Sequence, residues 1–119
     1  MRPTISPAQA PAWRHADWGK HPAFAKRNGT SCVYVITDQT RQYTKIGIAS
    51  DPRRRLSNLQ VASPLALVLH FVTDSMARGE AAAIERKVHA RLRDKHTSGE
   101  WFAIDPDSAA DLVRELLDG

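Results

Sequence analysis

Two β-branched and aromatic runs, SCVYVIT at 31–37 and YTKIGIA at 43–49, are separated by only five residues, DQTRQ. A parallel crossover needs a dozen or more residues, so a connection this short forces an antiparallel hairpin. Strands are expected over about 33–37 and 42–48. A turn centred on Gln39 and Thr40 sets Tyr34 opposite Lys45. Because strand side chains alternate with period two, Tyr43, Lys45 and Gly47 share a face. A lysine beside a tyrosine favours the phenolate, lowering the phenol below its usual value of about 10 and making Tyr34 a candidate general base. Gly47 has no side chain, so a phosphate or another backbone can approach it closely. The plainer alternative is a strand aromatic paired with a bulge glycine.

Beyond the hairpin, Asp51-Pro52 is a helix start, with the aspartate as N-cap and proline at the first helical position. That helix runs through Leu56 and Leu59 and must stop before Pro64. The run LALVLHFV at 65–72 is apolar on both alternations and reads as a central strand covered on both faces. Asp74 or Ser75 is placed to cap a helix over about 76–94. Its Ala77, Ala81, Ile84, Val88 and Leu92 repeat every three or four residues as one buried stripe. EWFAI is a short extended piece. Asp105-Pro106 repeats the cap-plus-proline start, and Leu112, Val113, Leu116 and Leu117 form the apolar face of a last helix. The expected fold is α+β: a small, mostly antiparallel three-stranded sheet flanked by helices, in the order β-β-α-β-α-α. Residues 1–29 hold four of the seven prolines and lack periodicity, so they read as an N-terminal arm to a domain at 30–119.

A chain of 119 residues is one domain. Its single cysteine, Cys32, excludes an internal disulfide and a multi-cysteine zinc site, which fits a reducing, cytoplasmic setting. The apolar runs are too short to span a bilayer, so no membrane is expected, and MRPTISPAQAPAW lacks the apolar core of a secretory signal. Charge is unevenly divided. Residues 1–60 hold ten Lys/Arg against three Asp, whereas residues 61–119 hold seven Lys/Arg against ten Asp/Glu. The basic half contains the hairpin and the run Arg53-Arg54-Arg55. A polyanion such as nucleic acid suits that half, as does a merely solvated basic face.

Arginine forks at a helix start match phosphate oxygens, so Arg53, Arg54 and Arg55 are candidate phosphate contacts. Glu85 borders the apolar stripe of its helix, about 60° from its centre, and His89 lies one turn on. A carboxylate there can reach into a cleft and hold a divalent cation whose shell substrate phosphates complete. The alternative for Glu85 is a surface ion pair. His70 reads as structural, Trp101 and Phe102 as a core anchor, and Glu100 as a candidate second carboxylate.

The ordered set of these pieces resembles the GIY-YIG nuclease superfamily. Cys32-Val33-Tyr34 stands where GIY would be and Lys45-Ile46-Gly47 where YIG would be, with ten residues between Tyr34 and Lys45. Arg55 falls at the family's arginine and Glu85 at its glutamate. The pattern Lys45-Ile46-Gly47, Arg55-Leu56, Leu59-Gln60, Pro64, Glu85, His89 and Gly99–Phe102 is similar to the branch named for meiotically up-regulated and phage open-reading-frame proteins. Cys32 departs from the family's first glycine, and its late asparagine has no equivalent, since Asn28 and Asn58 lie too early. The resemblance implies a metal-dependent endonuclease hydrolysing DNA phosphodiesters with Mg²⁺ or Mn²⁺. Tyr34, Lys45, Arg55, Glu85 and His89 would be catalytic, Glu85 the metal ligand, and Gly47, Arg53, Arg54 and Tyr43 nucleic-acid contacts. Alternatives are a nucleic-acid-binding module of the same fold without catalysis and an adaptor using the Pro/Trp-containing arm. A homodimer would supply further elements for reading bases.

Overall fold

The structure, a computed structural model, describes residues 29–118; the expected arm therefore falls outside the described residues except for Gly29. Strand β1 (Thr30–Asp38) is the spine of the sheet. It pairs with β2 (Thr44–Ala49) on one side and β3 (Leu67–Val72) on the other, both antiparallel. Cys32–Ile36 are accordingly sealed from solvent. A β-branched run with neighbours on both edges and helices on both faces buries every side chain and pairs most backbone groups through the ladders, while Val33 N donates to Thr73 Oγ1 at 2.9 Å.

Helix α1 (Pro52–Val61) begins as expected, with the Asp51 carboxylate accepting from Arg54 N at 3.1 Å and Pro52 in the first turn. The short strand β4 (Met76–Ala77) pairs with Thr30 and Ser31 of β1. Helix α2 (Arg78–Arg91) then starts without a side-chain cap, so neither Asp74 nor Ser75 has the expected role and Ala77 belongs to β4 rather than to the stripe. The first-turn N–H of Arg78 donates instead to Gly29 O, just before β1. After a 3₁₀ turn at Arg93–Lys95 come β5 (His96–Ser98), β6 (Trp101–Phe102) and α3 (Pro106–Asp118). The last helix is capped by Asp105, whose carboxylate accepts from Ser108 N at 2.9 Å.

The sheet runs β3-β1-β2-β6-β5, with β4 on β1, so the class is α+β as expected but with six strands rather than three. The additional strands have two or three residues each, too short for a period-two pattern to show in sequence. LALVLHFV proves to be an edge strand, not a central one. Its apolarity on both alternations reflects cover on both faces all the same. Leu56 and Leu59 of α1 pack with Tyr34, Ile36, Leu69 and Val72 on one face. On the other face, Ala81 and Val88 of α2 and Ala109, Ala110 and Val113 of α3 pack with Val33, Val35, Phe71 and Phe102. Among the described residues, no helix is long and apolar enough to cross a membrane.

The hairpin register differs from expectation by two residues. Tyr34 lies opposite Gly47, and Lys45 lies opposite Ile36. Asp38 causes the shift, because its carboxylate accepts from the backbone of Thr40 at 2.8 Å and of Arg41 at 3.1 Å, and Arg41 takes a left-handed φ of 60°. The loop is thereby lengthened. A slip of one would have turned every side chain over, whereas a slip of two keeps each on its expected face and changes only its partner.

Candidate active site

The site forms where the sheet runs out of partners. Strand β6 pairs only with Thr44 and Lys45 of β2, and the next backbone bond, Ile46 N to Glu100 O at 3.2 Å, ends the contact. From Gly47 onward this edge of β2 has no strand beside it among the described residues. Helix α2 covers the gap, fixed there by His89, whose Nε2–H donates to Ile46 O at 2.8 Å while its ring packs 4.9 Å from that of Phe102. Tyr34 belongs to one face of the sheet and α2 to the other. The open edge is the place where side chains from both faces can meet.

Gly47 makes that meeting possible. A Cβ there would stand 2.5 Å from the Tyr34 hydroxyl, 2.7 Å from its ring carbon and 2.7 Å from Glu100 Oε1. The space expected to admit a phosphate is thus filled by the protein's own phenol and carboxylate. The glycine admits the reactive groups, and a ligand can reach them only from beyond that layer.

Three charged groups, Glu100, Arg55 and Glu85, act on the phenol, and Lys45 pairs with the first of them. Lys45 Nζ lies 3.1 Å from Glu100 Oε1 and 5.9 Å from the centre of the Trp101 ring. The lysine therefore anchors Glu100 and does not lower the tyrosine. Burial raises the Tyr34 phenol above its ordinary value of 10.0; the charge of Glu100 adds to this, Arg55 opposes it, and Glu85 adds again. The expected phenolate is replaced by a neutral hydroxyl. Glu85 is also raised, first by burial, then by the Glu100 carboxylate, which stands within hydrogen-bonding reach of it; His89 and Lys45 pull in the opposite direction. Two carboxylates held together at a half-buried edge suit a hard divalent cation, which relieves both the burial and the repulsion. Among the described residues no group of three or more His, Cys, Asp or Glu side chains converges, so water and substrate oxygens would complete such a shell.

Of the residues singled out in sequence, Tyr34, Lys45, Gly47, Glu85 and His89 come together at this edge, with Arg55 in electrostatic contact. Arg54 and Arg55 also line an adjoining cleft of about 430 Å³ between the end of β2 and α1. Arg53, exposed on the same turn, does not line it. Tyr43, 44% exposed, lies apart from the edge, lining a cleft of about 220 Å³ with Trp101 and Leu67. Glu100 is more central than its sequence suggests. The signal was its place before Trp101, which pairs with Lys45 and so delivers Glu100 to the end of the ladder.

Fold and site define a small α+β domain with a phenol and two carboxylates at an open strand edge, beside an arginine-lined cleft. The chain belongs to the T5orf172 domain family, whose model matches residues 31–117. No curated protein and no solved structure matches it.

Proposed function

We propose that this chain is a metal-dependent endonuclease of the GIY-YIG type that hydrolyses DNA phosphodiester bonds in the cytoplasm. The observation that carries the reading is the convergence of Tyr34, Glu100, Lys45 and Glu85 around Gly47, from three separate elements and a loop. Membership of the T5orf172 family supports a nucleic-acid-related role.

Glu85 would hold Mg²⁺ or Mn²⁺. The ion, when bound, supplies Lewis-acid stabilisation of the charge on the phosphate. Tyr34 orients the attacking water and accepts its proton while passing the phenolic proton to Glu100. A neutral phenol next to a carboxylate can make that exchange without becoming a phenolate first. Lys45 holds Glu100 in place through the 3.1 Å contact. Arg55 neutralises charge developing on the phosphate oxygens as the bond from phosphorus to the leaving oxygen breaks, and that oxygen takes a proton from water. His89 is a positioning residue, since its Nε2 is committed to Ile46 O and it sets the angle of the helix carrying Glu85.

Supercoiled plasmid incubated with the protein should be nicked in Mg²⁺ or Mn²⁺ and stay intact in EDTA. DNA binding with no nicking in either metal would favour the alternative, a nucleic-acid-binding module with a nuclease fold.

A further inference from the structure

The cleft beside the acidic edge has its own chemistry. Arg54, Arg55 and Asn58 enter from α1, Ser50 from the turn after β2, Ser31 from β1, and Arg78 from the first turn of α2. Three guanidiniums therefore face one carboxylate, that of Asp51, which is engaged by the backbone of Arg54 at 3.1 Å. Among the described residues none of Arg54, Arg55 and Arg78 forms an ion pair, and all three are exposed. Arginines on separate elements that converge without an acidic partner make a surplus of positive charge whose forked donors fit a phosphate. The hydroxyls of Ser31 and Ser50 and the Asn58 amide add neutral donors. Arg55 belongs to this cleft and also acts on Tyr34, so the cleft and the edge form one continuous surface.

We infer that this cleft seats a second backbone phosphate of the same nucleic-acid strand, adjacent to the one attacked, and that Arg78 is a substrate-positioning residue reading it. The inference rests on the reading of the acidic edge as a phosphodiester site. It deepens that reading by making the substrate a linkage inside a strand, held by a phosphate on each side of a nucleoside. Arg78 reaches the cleft from α2, the helix that carries Glu85, so a phosphate bound there ties α1 to α2 across the mouth of the site.

The test is binding of a fluorescein-labelled DNA duplex in EDTA, followed by fluorescence anisotropy over a range of NaCl concentrations. Arg78→Ala should weaken binding about three- to tenfold and reduce the slope of log affinity against log salt by about one phosphate contact. Arg78→Lys should retain the slope. Arg86→Ala, an exposed arginine of α2 outside the cleft, should change neither. Thermal melts of all variants should match the parent, because the Arg78 side chain has no structural partner among the described residues. An unchanged affinity and slope in Arg78→Ala, or an equal loss in Arg86→Ala, overturns the inference. So does Arg78-dependent binding of inorganic phosphate as tight as that of the duplex, which would make the cleft a site for free anions. Arg78-dependent duplex binding by a protein that nicks in no metal would leave the cleft standing and remove the nuclease reading. Normal nicking by Arg78→Ala with unaltered binding would remove the cleft alone.

Discussion

Two corners of the molecule bury titratable groups, and they do so with opposite electrostatics. At the Gly47 edge, Glu85 and Glu100 are carboxylates of like charge, and burial and repulsion both push Glu85 upward. On β3, the imidazole of His70 is fully buried, but its Nε2 lies 2.9 Å from the carboxylate of Asp107, which also receives Arg41 Nη2 at 2.9 Å. There, burial lowers the histidine and Asp107 opposes the shift. One corner sets two like charges beside a single internal cation, Lys45, which pairs with Glu100 and leaves Glu85 without an ion pair among the described residues. The other pairs a buried imidazole with a surface carboxylate of the same fold and joins β3, α3 and the hairpin turn. The difference separates a cluster with the electrostatics of a functional site from a contact that holds elements together.

The largest expected effects should fall on opposite corners. Tyr34→Phe removes one hydroxyl and should cut cleavage about 10²- to 10⁴-fold, the range for general acid–base groups, with little change in melting temperature. Asp107→Asn should leave cleavage rates unaltered and lower stability by about 1–3 kcal/mol, because it weakens the partner of a buried imidazole. Equal effects on activity from both would erase the distinction. Gly47→Ala comes next. The added methyl collides with a buried ring and a carboxylate, so we expect a loss of about 1–3 kcal/mol in chemical denaturation and a fall in nicking, both typical of overpacking.

The smallest effects are in pH dependence, and their signs differ. His70 has a folded-state pKa below its ordinary 6.5, so the unfolded chain binds more protons there. Its contribution should be present above 6.5 and lost as pH falls through the lowered value. Glu85 has a folded-state pKa above its ordinary 4.5, so the folded chain binds more protons there. Its ionisation should cost stability as pH rises from 4.5 through the raised value. Melting temperatures of the parent, of His70→Asn and of Glu85→Gln, each in EDTA across this range, separate the two. Adding Mg²⁺ should recover the Glu85 loss and leave the His70 one unchanged.

The sequence disclosed most of the scaffold, because its long elements carry clear periodicity or caps: the hairpin, the Asp51-Pro52 and Asp105-Pro106 starts, and the stripe through Ala81 and Val88. It also pointed to Tyr34, Glu85 and Gly47. Three features were not legible. The register depended on how many donors the Asp38 carboxylate gathers, which turn composition alone does not reveal. The ionisation of Tyr34 depended on whether Lys45 lies beside the phenol or beside Glu100, a choice made by the pairing of β6. The centrality of Arg78 and Glu100 arose from short strands that bring distant segments to one edge. Residues that reach a site through tertiary pairing leave no spacing signature.

The most direct test of the account compares the parent with Glu85→Gln on supercoiled plasmid in Mg²⁺, with DNA binding measured in parallel. The account predicts that the parent nicks the plasmid, that the variant is slower by at least about a hundredfold, and that both bind DNA comparably. Nicking at similar rates by both proteins, or none by the parent in any divalent metal, would contradict it.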